Sequence, residues 1–521
     1  MNIDFGIFSL IPPVLAIVLA FLTKNVLFSL ITSVFVGSAM LAKGNIAIGF
    51  VNVFSKYMIP NIADSWNAGV IAMTLFVGCF SVMLERSGGA YAFGQAVKDK
   101  IKTVRQGQIA SWIGGLIIFF SDSSNSVILG PVMRTVTDRL KISREKLAYI
   151  CDSTASSVPL LLPITGWGAL VMGIMKKSLP QNDSMFTEFV QAVPFNHYTI
   201  VIIVMVCVIA ITGWDFGPMR KAELRARKLG KVYADDAHIT ETKKYSEPEG
   251  AHPTPWGLII PIVVLIVSLF TCMYYTGPKG KGFMYTISNS ETMVSLTVAF
   301  FAAATVGIAM GISAKALDFK GAYQVYVDGF KQMIEAIMIL IFAWCIGGVT
   351  SDVGAADFIV ESTKGFMTPG IMFVALFVTA CVTSFATGSS WGSFAIFLPI
   401  AIPLALANGV DVSPAIGAAL AGSLFGDHCS PISDTTILSS TGAQCSHMDH
   451  VSSQMPYAIS VAGCCIIGYL IGALTGGNLF ATVTMNGFIS LTASILLMIL
   501  FLFILHKHDI RRTPDETINF D

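Results

Sequence analysis

Charge is what this sequence has least of. Only 12% of its 521 residues are Asp, Glu, Lys or Arg, against about 25% in a soluble chain. The 32 basic residues cancel the 32 acidic ones. The shortage excludes a water-soluble globule, and the balance leaves no basic surplus for a nucleic-acid partner. Met1–Asp4 carries neither a basic run nor a small-residue cleavage motif, so the apolar segment that follows is expected to remain as a span. A disulfide framework is not expected either. Of the ten cysteines, Cys79, Cys207, Cys345, Cys464 and Cys465 sit inside apolar runs, where cysteine behaves as a small hydrophobe. Cys445, His447 and His450 in QCSHMDH lack the spacing of a zinc site and read as a polar loop.

What the chain has instead is apolar length: 54% hydrophobic residues and a mean hydropathy of +0.71. A spanning helix needs about 20 apolar residues. Ile7–Thr23, Val26–Leu41, Asn67–Leu84, Tyr198–Trp214, Trp256–Tyr275, Met293–Ile312, Glu335–Thr350, Tyr457–Thr475 and Phe488–His506 meet or approach that length, and Ile46–Pro60 is weaker. The charged connector 215–254 reads as a solvated loop. Glu85 and Arg86 close a span as an interfacial ion pair. Two regions, 107–175 and 368–440, are too punctured by Gly, Pro, Ser, Thr and Asp for plain spans.

Those two regions match each other. A gapless shift of 268 positions sets Ser121 on Ser389, Pro131 on Pro399, Pro163-Ile164 on Pro431-Ile432 and Thr165 on Ser433. A shift of 265 sets Gly89-Ala90 on Gly354-Ala355 and Phe93 on Phe358. The pattern predicts a duplicated unit. Charge then gives orientation. Loops 97–106 and 134–146 carry Lys98, Lys100, Lys102, Arg105, Arg134, Arg139, Lys141, Arg144 and Lys146. Their counterparts carry only Lys364. Basic short loops stay cytoplasmic, so the two repeats are expected to be inverted. With both flanking loops inside, 107–133 must enter and leave on one side. It is predicted to be a re-entrant hairpin with its tip at Ser121-Asp122-Ser123-Ser124-Asn125. The equivalent hairpin, 370–403, has its tip at Thr387-Gly388-Ser389-Ser390. The expected fold is an all-α polytopic membrane protein with two inverted repeats, re-entrant hairpins and discontinuous helices. Its expected units are 1–106 (scaffold), 107–213 (first transport elements), 214–254 (cytoplasmic connector), 255–367 (second scaffold), 368–475 (second transport elements) and 476–521 (C-terminal helix and tail).

Four polar clusters converge in this scheme: the two tips and the segments DSTASSVPLLLPITGWG and GDHCSPISDTT. Pro163 and Pro431 break helical hydrogen bonding and free backbone carbonyls. Carbonyls, hydroxyls and carboxylates suit a small hard cation such as Na+, and helix ends add partial charge. Carboxylates at bilayer depth mark an ion pathway. The expected ion- or substrate-binding residues are Asp122, Ser123, Ser124, Asn125, Asp152, Thr154, Thr165, Ser389, Ser390, Asp427, Ser433, Asp434 and Thr435. Among them Asp122, Asn125, Asp427 and Asp434 are the expected Na+ ligands. Burial favours the protonated carboxyl and a bound cation the ionised one, so one carboxylate that takes either couples the two ions. Asp427, Asp434 and His428 are the expected proton-coupling groups, although His428 also fits a hydrogen-bonded interior role. Asp152 equally fits a helix cap. Trp167 and Trp391 beside the tips could wall an organic solute or simply pack. An intramembrane aspartyl protease is disfavoured, because Leu424 stands where a G-x-G-D arrangement needs glycine.

GDHCSPISDTT, together with FSDSSNS and LPITGWG, resembles the NhaC-type Na+/H+ antiporter family, from about Asn67 to Thr475. The resemblance implies a non-enzymatic secondary transporter of the cytoplasmic membrane, moving Na+ and H+ with no cofactor, elevator-type and homodimeric. The same family includes members resembling exchangers of organic acids, so a small organic solute is the alternative cargo. The polar clusters contain no arginine clamp for a carboxylate, Arg134 in a basic loop being the nearest.

Overall fold

The computed structural model describes residues 5–23, 25–98, 100–120, 122–179, 184–234, 250–280, 282–288, 290–355, 358, 362, 368–474 and 483–512. Among them there are helices and turns and no strand. Ten helices are long and apolar enough to cross a membrane. The protein is therefore an all-α, multi-pass membrane protein. Thirteen helices bear on the site: α1 (Val26–Leu41), α2 (Val104–Ile117), α3 (Asp122–Arg139), α4 (Arg144–Ala155), α5 (Gly166–Ser178), α6 (His197–Thr212), α7 (Gly217–Leu229), α8 (Ile334–Asp352), α9 (Pro369–Thr387), α10 (Ser390–Ala407), α11 (Val412–Cys429), α12 (Asp434–Ala443) and α13 (His447–Leu474).

Helix starts follow the local chemistry. Thr103 opens α2 with a capping box to Gln106, Ser143 caps α4 and Asp411 caps α11; each hydroxyl or carboxylate satisfies an amide the helix cannot. Three helices, α10, α11 and α12, begin 268 residues after α3, α4 and α5, the offset at which the sequence matches itself. Pro131 and Pro399 sit inside α3 and α10 at that same offset.

Both proline-bearing segments interrupt their helices. The first breaks between α4 and α5, with one turn at Ser157–Leu160, and the second between α11 and α12 at Ser430–Ser433. Ser430 is extended (φ −76°, ψ 132°), as the residue before a proline prefers. Helix α11 lies directly against α9. A Cβ on Gly422 would stand 2.2 Å from the Phe377 carbonyl oxygen, and one on Gly426 2.3 Å from the Phe385 nitrogen. The G-x-x-x-G spacing is what lets these backbones touch.

Several details depart from the sequence reading. Val26–Leu41 is a helix over the expected bounds, and its 16 residues give about 24 Å, which only approaches a bilayer core of about 30 Å. Gly370–Thr387 and Ser390–Ala407 both qualify by length as spans. QCSHMDH is only partly a loop: 444–446 are turn and irregular backbone, but α13 begins at His447 and buries His450. The connector is not uniformly solvated, because 217–229 folds as α7. There Glu223 accepts from the Ser143 hydroxyl (2.7 Å) and Arg225 pairs with Glu145 (2.8 Å). Lys146, expected as a loop charge, is buried in an ion pair with Asp215, which also accepts from the Tyr457 hydroxyl at 2.6 Å. Residues 235–249 of the connector lie outside the described residues. Arg86 pairs with Asp328 (2.6 Å). All ten cysteines are free.

Candidate functional site

Asp427 lies in the last turn of α11 and is 2% exposed. Its two oxygens are held from different directions. The Ser390 hydroxyl, on the first residue of α10, donates to Oδ2 at 2.5 Å, and the Ser433 hydroxyl donates to Oδ1 at 2.7 Å. Ser433 in turn contacts the Thr435 hydroxyl at 2.9 Å. One carboxylate thereby joins the turn between α9 and α10 to the break between α11 and α12. The two turns also touch: Gly388 has φ +64°, and a Cβ there would stand 2.8 Å from Ile432.

Beside Asp427 an open cavity of about 290 Å³ is lined by Asp122, Glu335, Asp434, Ser389, Ser390 and Trp391, with Asn25, Gln332 and Thr387 at its margins. Among the described residues, its lining includes four carboxylates and no basic side chain. Asp434 opens α12, where its carboxylate accepts from the Thr435 amide at 2.9 Å. The unpaired amides of that helix start give it partial positive charge. The arrangement can strip water from a small cation, surround it with oxygens and concentrate cations at its mouth.

Five of the expected residues line this cavity: Asp122, Ser389, Ser390, Asp427 and Asp434. Ser433 and Thr435 stand behind Asp427. Ser389 also caps α10 through the Gly392 amide. The remaining candidates lie elsewhere. Asn125 donates to the carbonyls of Gly115 (2.8 Å) and Ile118 (3.3 Å), tying α3 to α2. Its own Oδ1 has no hydrogen-bond partner among the described residues. Thr154 turns its hydroxyl to the Ile150 carbonyl (2.8 Å) and packs on Gly115. Thr165 caps α5 through the Gly168 amide. Ser121 lies outside the described residues, as do the side chains of Ser123 and Ser124.

Asp152 belongs to a second polar cluster. It is fully buried and accepts from Thr436 (3.0 Å) and Gln454 (2.7 Å) at Oδ2, with the Ser439 hydroxyl 3.5 Å from Oδ1. His428 uses both ring nitrogens, one with Ser153 (3.0 Å) and one with the Tyr198 hydroxyl (2.8 Å). That is the interior, hydrogen-bonded alternative. Trp167 packs edge-on against Trp391 with ring centroids 5.9 Å apart. Sequence reasoning missed Glu335 and Gln332 in the cavity, and His450 and Gln454 beside Asp152. Helical spacing in 447–454 was the available signal, hidden by the loop reading.

A model of the Na+/H+ antiporter family matches residues 158–474. An uncharacterised Haemophilus influenzae protein is 33% identical over 500 residues, covering 92% of this chain and 93% of its own. The Bacillus subtilis malate-2H+/Na+-lactate antiporter is 28% identical over 184 residues, 34% of this chain and 38% of that one. Among solved structures, Neisseria gonorrhoeae MtrF, described as one of a class of antimetabolite efflux pumps, superposes with a TM-score of 0.50 at 14% identity, covering 88% of this chain and 85% of its own. The Alcanivorax borkumensis YdaH transporter does so at the same TM-score and identity, over 87% and 89%. At that identity the structures speak for the fold alone. The chain belongs to the NhaC-type Na+/H+ antiporter family, and it is a secondary active transporter that exchanges Na+ for H+ across a membrane, not an enzyme.

Proposed function

We propose that the exchange runs through the cavity between the α9–α10 turn and the α11–α12 break, with Asp427 and Asp434 as the carboxylates that hold Na+ and a proton in turn. The observation that carries this is the gathering of Asp122, Glu335, Asp427 and Asp434 around one open space. Na+ lowers the cost of ionised carboxylates in a poorly hydrated site, and its departure leaves them to be neutralised by protons. Because one group serves both ions, they exchange instead of travelling together. Ser390 and Ser433 orient Asp427, while Asp122 supplies a further carboxylate from α3.

The scaffold for this reading is a pair of inverted repeats, in which α2–α3 and α9–α10 are hairpins entering from opposite faces. The recurrence of three helix starts at one offset supports the duplication. Two apolar cavities add to it, of about 210 and 280 Å³, one beside each helix pair. Ala90, Leu129 and Val132 line the first, and their repeat partners Ala355, Phe397 and Ile400 line the second. In this reading the hairpins and broken helices move as a unit in an elevator-type homodimer of the cytoplasmic membrane. Na+ as sole cargo is favoured over an organic acid, because the cavity meets an anion with four carboxylates and, among the described residues, no basic partner. The Bacillus subtilis relative keeps a second reading open, with malate or lactate as an additional cargo. Proteoliposomes loaded with Na+ and given a pH gradient separate the two. Na+ efflux without organic solute is expected, and efflux that requires malate or lactate would replace the first reading by the second.

A further inference from the structure

Asp152 never meets the cavity, yet it is the most enclosed carboxylate of the site region. Beside it, His450 Nε2 stands 3.4 Å from Oδ2. The His450 ring is fully buried, and neither nitrogen has a hydrogen-bond partner among the described residues. A lone ionised carboxylate in such surroundings is costly, and so is an unpartnered imidazole. One proton placed between them relieves both.

We infer that Asp152 and His450 form a second coupling site, which binds one proton and is linked to the cavity through α12 and Gln454. This goes beyond exchange at the cavity and rests on Na+ binding there. The first link is α12 itself. Its start presents Asp434 to the cavity and, at the preceding residue, Ser433 to Asp427, and its next residues present Thr436 and Ser439 to Asp152. The second link is Gln454, whose amide donates both to Asp152 Oδ2 and to the backbone carbonyl of His428, the neighbour of Asp427. A proton arriving at Oδ2 turns that oxygen from acceptor into donor. Oδ2 then cannot keep both Thr436 and Gln454, and α12 and the end of α11 are free to shift. The proton passes from hydronium in the aqueous phase as Na+ leaves: one hydronium O–H bond breaks, a carboxyl O–H or imidazole N–H bond forms, and water remains. By linkage, Na+ in the cavity weakens proton binding at Asp152 as much as the proton weakens Na+ binding.

The ionisable groups near Asp152 come from several elements. They are Cys151 on α4, Asp427, His428 and Cys429 on α11, and His450 on α13. Tyr198 of α6 reaches the cluster through His428, Tyr149 of α4 packs beside His428 and Tyr457, and α3 contributes the Ser126 hydroxyl, through Ser439. His428 is already satisfied on both nitrogens, which leaves His450 as the group able to share Asp152's proton.

The test is Na+ titration calorimetry of the full-length protein in two buffers of different ionisation enthalpy, which yields protons released per Na+ bound. Asp152→Asn is expected to keep Na+ binding and to release about one proton fewer than wild type. His450→Gln is expected to reduce release in the same direction and decides the matter if Asp152→Asn does not fold. Unchanged release in His450→Gln, or in a folded Asp152→Asn, overturns the inference. Absence of any Na+ binding in wild type would instead defeat the cavity reading.

Discussion

A single hydroxyl measures how the site is held. Ser390 donates to Asp427 at 2.5 Å and has little else to do at the start of α10. Hydrogen bonds to charged groups contribute about 1.5–3 kcal/mol, so Ser390→Ala should raise the apparent KM for Na+ about ten- to a hundred-fold. Thr154→Val is the control. Its hydroxyl only back-bonds to its own helix, so fluxes in proteoliposomes should be near wild type. Asp427→Asn and Asp434→Asn should each abolish Na+-dependent proton movement in folded protein, and retained antiport in both would move the ion site to Asp122. Lys146 makes the same kind of point for stability. Its ion pair with Asp215 is 1% exposed on both sides, and removing one partner of a buried pair costs about 3–5 kcal/mol. Lys146→Met should therefore lower the melting temperature in detergent, whereas Lys141→Met, on the exposed loop before α4, should not.

At the scale of elements, the discontinuous helices were legible because proline and its neighbours announce them locally. Pro163 and Pro431 each precede a half-helix capped at Thr165 or beginning after Ser433. What the sequence hid were partners from distant segments. Gln454 meets Asp152 across about three hundred residues, and Glu335 reads as the end of a span until α8 is placed beside α1 and the α9–α10 turn. The α9–α11 contact was equally silent, although Gly422 and Gly426 were there to be read. It yields its own prediction. Gly422→Ala and Gly426→Ala would press a methyl group into the backbone of α9, and overpacking of this kind costs about 1–3 kcal/mol. Gly463→Ala meets nothing within 4 Å and should be silent. Thermal unfolding of the three variants in detergent checks the contrast; equal melting temperatures would mean that α11 does not rest on α9 in the membrane.

For the whole molecule, inversion of the repeats is the property on which alternating access would depend in the proposed scheme. Two like-oriented units would open both hairpins to the same side, and the cavity would then have one entrance. Inversion gives each face its own hairpin, so that motion of one closes what motion of the other opens. Lys141 and Ala407 are exposed at equivalent ends of the two helix pairs, the first in the basic loop after α3 and the second at the end of α10. With the half-buried Cys207 and Cys272 replaced by serine, Lys141→Cys should react with a membrane-impermeant thiol reagent only in inside-out vesicles. Ala407→Cys should react in intact cells. Labelling of both from one face would make the repeats parallel and leave charge, the only feature that assigned their orientation, without the meaning given to it by the retention of basic loops in the cytoplasm.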